Sequence, residues 1–351
     1  MMTRRTALHL TIGLFLILVV LSASPMGCNS VPPPREVEPP PYVQDVSKEK
    51  LIYNIQLNVQ NFASLQCPVE IRATDQKMLV PASAADSLRM KMGKPYEKAP
   101  NTRKLSGYLV FERQPPTQRI QNRVKFVGEI MGERVITLMA YDDVFIVKLR
   151  KANRKLGELP FSVYKGRFDP EVPRSKDSFS MRPQDIMNLF LCREMLTSFD
   201  LEKIKATFVE VWPDYYILSV LRVDPDRQNP VQLYSRIWVE RHSLMVAIHQ
   251  LYEPSGAMVA EARFQNYILH QQDSDEIYVP RQVRFIWPRD KVTIDCTLRT
   301  DKMSVNYKVD EKFWKPPRET DADVIQITST TRGHEFTPVG RDAPQKPEEP
   351  E

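Results

Sequence analysis

Apolar and polar residues alternate with unusual regularity from residue 233 onward. Met258, Ala260, Ala262, Phe264 and Ile268 fall on one side of an extended chain, opposite Glu261, Arg263, Gln265 and Tyr267. The next run sets Ile277, Val279, Val283, Phe285 and Trp287 against Gln282 and Arg284. Val292, Ile294, Cys296 and Leu298 then alternate with Thr293, Asp295 and Thr297, and Met303, Val305, Tyr307 and Val309 with Ser304, Asn306 and Lys308. A period of two with one polar face predicts a sheet that is dry on one side and wet on the other. Short breaks at 254–256, 273–275, 288–290 and 300–302 carry turn-forming residues, so successive strands should form an antiparallel meander.

The same grammar continues upstream with fewer polar positions. Strands are predicted at 68–74, 105–113, 119–127, 133–141, 143–150, 205–212, 215–223 and 233–240. From Val144 to Leu149 both faces are apolar, so that part of the sheet should be covered on both sides. Two segments have helical spacing instead. Residues 51–66 place Ile52, Ile55, Val59 and Phe62 on one stripe, and Pro183 opens a second helix, to 196, in which Ile186, Leu189 and Phe190 recur. The stretch 151–181 between strand and helix reads as a long loop, of the kind that is often a lid or disordered.

The pattern therefore predicts a mainly β (α+β) fold: a long curled antiparallel sheet with only two or three helices to cover its dry face. A sheet of some ten strands must curl or close to hide that face and protect its edges. A curled sheet with few helices leaves a concave apolar space suited to a lipid chain, and a fully packed core is the alternative. Phe264, Val283, Phe285 and Ile294 are the dry-face residues expected to line such a pocket, with the 183–196 helix as cover.

The two ends differ from the body. Arg4 and Arg5 precede an almost wholly apolar run, 10–23, which is a signal-peptide core too short to span a membrane comfortably. Gly27 and Cys28 follow it, with Pro25 and Met26 just before. Prolines at 32–34 and 39–41 mark an extended spacer, and 319–351 is acidic with little to bury, so a disordered tail is expected there. The chain thus divides into a signal peptide (1–27), a cysteine and spacer (28–48), one large domain (49–318) and a tail (319–351). The formal charge of +5 hides a basic body offset by an acidic tail. Such a body could meet anionic lipid, whereas no Lys/Arg run with interleaved aromatics marks a nucleic-acid surface. Beyond Cys28, the cysteines Cys67, Cys192 and Cys296 are odd in number; buried free thiols are expected, with one disulfide of unspecified pairing as the alternative.

Catalytic chemistry finds little support. His242, His249, His270 and His334 make no ligand spacing, and there is no His-Glu-x-x-His, Gly-x-Ser-x-Gly or phosphate-cradling glycine loop. The expectation is a binding protein without cofactor or metal. A structural, partner-binding envelope protein without cargo is the second reading, and a carboxylate-based hydrolase a weaker third.

Several segments resemble known families. Ser24 to Cys28 resembles the lipobox of bacterial lipoproteins, which implies lipidation of Cys28 with palmitate-type chains, and Asn29 after it implies the outer membrane. The segments 107–115 (Gly-Tyr-Leu-Val-Phe-Glu-Arg-Gln-Pro) and 310–317 (Asp-Glu-Lys-Phe-Trp-Lys-Pro-Pro), in a chain ordered as helix, curled sheet and interrupting helix, resemble the periplasmic lipoprotein-carrier and receptor (LolA/LolB-like) half-barrel superfamily. That resemblance covers 49–318 and implies a half-barrel that binds lipid or lipoprotein acyl chains, in lipoprotein localisation or envelope lipid transport. The partners it implies are the membrane, through the lipid anchor, and an envelope protein. It also implies a role for Arg113 in holding a lid shut. Read from the sequence alone, Arg113 is either that latch, reaching carbonyl oxygens of a covering helix or loop, or a solvated strand-end charge.

Overall fold

The computed structural model describes residues 35–36, 43–75, 101–113, 123–141, 144–150, 160–167, 182–192, 204–223, 231–272, 275–320, 322–330 and 333–339. Strand β1 (Arg35–Glu36) and helix α1 (Lys48–Asn61) come first. They are followed by β2 (Ser64–Asp75), β3 (Asn101–Glu112), β4 (Arg123–Ile130), β5 (Glu133–Tyr141), β6 (Val144–Arg150) and β7 (Phe161–Arg167). Helix α2 (Pro183–Leu191) leads into β8 (Ile204–Val211), β9 (Tyr215–Val223), β10 (Val231–Glu240), β11 (Val246–Tyr252), β12 (Met258–Gln272), β13 (Asp275–Trp287) and β14 (Val292–Leu298). The short β15 (Ser304–Val305), β16 (Ala322–Thr330) and β17 (Gly333–Val339) complete the described chain.

All seventeen strands join one sheet. Its main path in space is β8-β9-β10-β11-β12-β13-β14-β2-β3-β4-β5-β6-β7-β16-β17. The two-residue strands sit beside it, β1 on β12 and β15 on β2. Among the described residues no pairing joins β8 to β17, so the sheet is an open half-barrel. Its curl is visible in what α2 touches: β4, β5 and β6 on one arm, and β11 and β12 on the other. A nine-residue helix reaches both arms only if the sheet wraps around it, and every residue of α2 is buried.

The wrap is tight where two glycines face each other. Gly107 of β3 pairs with Gly128 of β4, next to a register shift between β4 and β5. A β-carbon on Gly107 would lie 1.9 Å from the carbonyl oxygen of Val127, so only glycine fits this approach. The bulge adds local twist, and together they bend the sheet here.

Helix α1 begins at Ser47, whose hydroxyl accepts from the Lys50 backbone N–H. It buries Leu51, Ile55 and Val59, a stripe one residue earlier at its start than Ile52 would give, and Phe62 continues it just past the end. The helix stops at Asn61 rather than at 66, because 64–66 already pair with β3 and β15.

Four further expectations need correction. The sheet is not wholly antiparallel, since β7 and β16 run parallel. The stretch 151–181 is not loop throughout: β7 pairs along β6 and buries Val163. The tail from 319 is not all disordered, because β16 and β17 extend the sheet to Val339; their Ile, Val and Thr suit strands once β7 supplies an edge. Finally, 303–309 is not a full strand. After Ser304–Val305 the chain leaves the sheet at Asn306, whose φ of 56° lies in the left-handed region that asparagine tolerates.

The segment beyond Asn306 accounts for the doubly apolar strands. From β15 on β2 to β16 on β7, residues 306–320 cross the convex face of the intervening strands, five inter-strand steps or roughly 24 Å. Val309, Trp314 and Ala322 pack there against Val110, Met139, Ile146 and Val163 to form a second, smaller core. Lysines fasten this strap from beneath. Lys125 donates to the carbonyl oxygens of Phe313 at 2.6 Å and Lys315 at 3.1 Å, Lys148 donates to that of Arg318 at 2.7 Å, and Lys165 pairs with Glu319. Burial, with Arg134 nearby, lowers the Lys125 pKa from 10.5 to about 8.

Candidate functional site

A cavity of about 610 Å³ lies under the outer length of α1, between it, the end of α2, the β10–β11 turn and strands β12 and β13. Its apolar wall includes Ile55, Val59, Phe62, Phe190, Val246 and Phe264. Aromatic rings pave the floor: Phe190 lies 5.8 Å from Phe62 and 5.9 Å, edge-on, from Phe264, and Phe111 of β3 backs both Phe62 and Phe190 at 4.9 and 5.4 Å. Rings from a helix end, a buried helix and two strands meet here.

Of the residues expected to line a pocket, Phe264 borders this cavity. Val283, Phe285 and Ile294 are correctly placed on the dry face but belong to the packed core. Phe285 pairs with both Ala262 and Ile294, and Val283, Phe285 and Ile294 all lie at 1–2 % exposure, walled off from the cavity. Helix α2 likewise fills space more than it covers: Phe190 and its C-terminal neighbour Cys192 reach the cavity, while Asp185 accepts from the Trp287 indole N–H at 3.2 Å deep in the core.

Arg113 follows the last residue of β3, beneath the end of α1. Its guanidinium donates to the carbonyl oxygens of Val59 at 2.8 Å and Gln60 at 2.6 Å. These belong to the last turn, where carbonyls lack the usual helical donor; Val59 also accepts from the Phe62 backbone N–H at 3.3 Å. Helix α1 has no basic residue in that turn, so Arg113 also supplies the positive charge that the helix C-terminus favours. Half-burial pushes its pKa down.

A second residue at the same helix end escaped the sequence reading. Asn306 donates to the Asn61 carbonyl at 2.6 Å and accepts from the backbone N–H groups of Ala63 at 2.7 Å and Ser64 at 3.3 Å. Asn306 falls in phase with the polar positions of an alternating run, so the pattern carries no signal of this role. Asn58 adds a third tie, exchanging two hydrogen bonds with the backbone of Tyr278 on β13. The cover is thus pinned at its C-terminal end by contacts with three separate elements.

The remaining chemistry is structural. His249 is fully buried, with Nδ1 2.8 Å from the carbonyl oxygen of Leu189, which fixes that nitrogen as the donor. Cys67, Cys192 and Cys296 are free and buried, and burial raises the Cys67 pKa to about 12. Among the described residues no three His, Cys, Asp or Glu side chains converge to hold a metal ion, and no helix is long and apolar enough to cross a membrane. Cys28 lies outside the described residues.

Fold and site together define an open β half-barrel with a roofed, aromatic-floored cavity. No family model matches the sequence, and no curated protein matches it. Among solved structures, it is similar to a domain assigned as an outer membrane lipoprotein-sorting protein from Vibrio parahaemolyticus, at 9 % identity and a TM-score of 0.39, covering 76 % of this chain and 95 % of that one. It is similar to a DUF1329 family protein from Desulfovibrio piger at 12 % identity and a TM-score of 0.41, covering 76 % and 95 %. A LolA superfamily protein from Nitrosomonas europaea gives 11 % identity and a TM-score of 0.41, covering 78 % and 99 %.

Proposed function

We propose that this protein is a lipid-binding component of a bacterial envelope, holding an acyl chain of a lipid or acylated ligand in the cavity beneath α1. The observation that carries this reading is the cavity itself. A partly open space of about 610 Å³ floored by Phe62, Phe190 and Phe264 falls in the range of small-molecule sites. Helix α1 is then the cover, and Arg113 its latch. The test is uptake of a fluorescent fatty acid. Wild-type protein should bind it, and Val246→Trp, which drives an indole into the cavity, should weaken binding at least tenfold while the protein still folds. Folded wild-type protein that takes up no probe, and yields no lipid on solvent extraction from its host, would favour a structural envelope protein without cargo.

The latch makes a separate prediction. Arg113→Leu should leave the fold intact, because the buried stripe Leu51, Ile55 and Val59 still packs, but should destabilise the α1 end by about 1–3 kcal/mol. Amide exchange in the last turn of α1 and probe release should both accelerate. Arg113→Lys should recover only part of the difference, since an ammonium lacks the planar fork that reaches two carbonyls. Equal exchange and release rates in all three proteins would reduce Arg113 to a surface charge.

The anchor proposal rests on the sequence. The apolar run ahead of Gly27-Cys28 supports cleavage and acylation there, and the proline spacer would hold the domain off the outer membrane, facing the periplasm. A role in lipoprotein localisation or envelope lipid transport, with an envelope protein as partner, extends the same reading. Cys28→Ser should move the protein from the membrane fraction and abolish fatty-acid labelling, at about 0.8 kcal/mol of anchoring lost per methylene. A wild-type chain that never takes the label would end this idea.

A further inference from the structure

The cavity's size and the chemistry of its mouth bear on which amphiphile it accepts, an inference that rests on the lipid-binding reading above. A methylene occupies nearly the same space as a liquid water, about 30 Å³. A cavity of about 610 Å³ therefore holds about twenty such units, one long acyl chain. Two sixteen-carbon chains would need roughly 1,000 Å³ on the same measure. On the sheet side Phe190 and Phe264 belong to the main core, so any enlargement has to come from α1, which Arg113, Asn306 and Asn58 hold in place.

The polar part of the lining is equally selective. It includes the amides of Gln44, Asn54, Asn58 and Asn61, the side chains of Ser243, Tyr267, Tyr278 and Cys192, and the carboxylates of Asp275 and Glu276. Both acids are exposed at the start of β13, and Glu276 Oε2 accepts from the Tyr278 hydroxyl at 3.2 Å. No Lys, Arg or His side chain is among the described residues that line the cavity. An anionic head group would thus meet two carboxylates and no counter-charge, whereas an uncharged or zwitterionic head would meet amide donors and acceptors. This is the reverse of what the basic composition of the chain suggests.

We propose that the cavity selects a single-chain amphiphile whose head group carries no net negative charge. The test uses the purified full chain and displacement of a fluorescent lysophosphatidylcholine. Unlabelled lysophosphatidylcholine should displace it. Lysophosphatidylglycerol of the same chain length should be about tenfold weaker at low salt, and dipalmitoyl phosphatidylcholine at least tenfold weaker at any salt. High salt should narrow the head-group difference but not the chain-number difference, because only the former is screened. Replacing both acids (Asp275→Asn with Glu276→Gln) should bring lysophosphatidylglycerol close to lysophosphatidylcholine.

Equal displacement by the two-chain lipid overturns the single-chain half of the proposal. Equal displacement by lysophosphatidylglycerol on wild type, or a difference that survives the double substitution, overturns the head-group half. If no single-chain or two-chain lipid binds at all, the lipid-binding reading itself falls and this proposal with it. Tight binding of the wrong lipid class leaves that reading standing and removes only the selectivity.

Discussion

Trp287→Ala should lower the free energy of unfolding by about 3–5 kcal/mol, the largest single-residue loss expected in this protein. Trp287 ends β13 on the dry face at 0 % exposure, with the Phe285 ring centroid 6.0 Å away. Truncation leaves a cavity in the main core and removes the indole donor from Asp185, a buried acid that also accepts from the Arg182 backbone N–H at 3.2 Å to start α2. Trp287→Phe separates the two effects: it keeps most of the volume and loses the hydrogen bond, so a cost nearer 1–3 kcal/mol is expected. Denaturant titration with unchanged m-values is the measurement. An alanine variant within about 1 kcal/mol of wild type would mean that the junction of β13 and α2 is far looser than described.

The second large effect is at Gly107. Gly107→Ala adds only a methyl, yet that carbon has nowhere to go: besides the carbonyl oxygen of Val127 it meets the carbonyl carbon at 2.9 Å and Cδ1 of Ile71 at 3.1 Å. Backbone cannot swing aside as a side chain can, so β3 and β4 must move apart and the bend must relax. A loss of about 2–3 kcal/mol or more is expected, with weakened amide protection in β3 and β4 measured by hydrogen exchange. Gly132 is the internal control. It sits at φ +81° in the β4–β5 turn with open space around it, so Gly132→Ala strains the backbone without any packing clash and should leave β3 unaffected.

The sequence is informative where one face of a strand is wet. The runs 258–272, 275–287 and 292–298 show their strands openly, because polar residues at most alternate positions mark one face. Where both faces are buried, the period disappears. Val144 to Leu149 signals its double cover, but nothing in the alternation says that residues 306–320 supply it. The parallel pairing of β16 with β7 is less legible still, since it joins segments about 160 residues apart through a strap whose alternation ends at Val309. The cavity has the same difficulty. Alternation puts Phe264 and Val283 on the same dry face, yet one lines the cavity and the other lies in solid core, and that depends on where α1 and α2 come to rest. For Arg113 the sequence gives its place at a strand end, while its acceptors on Val59 and Gln60 belong to the three-dimensional arrangement.

The order of the strands constrains how the chain matures. β2 is among the first elements made, but one of its neighbours is β14: Asp75 pairs with Val292 and Val69 with Leu298. The outer face of β3 to β7 stays uncovered until the strap of 306–320 arrives. A chain delivered N-terminus first would therefore carry an unpaired β2 edge and a bare apolar patch around Val110, Met139 and Ile146 for nearly the whole of its passage. Both are exposures that favour association with other chains. The final stretch of the polypeptide is thus what renders the first half safe from aggregation, and a chain cut short near residue 300 should be a client of holding chaperones rather than a smaller working protein.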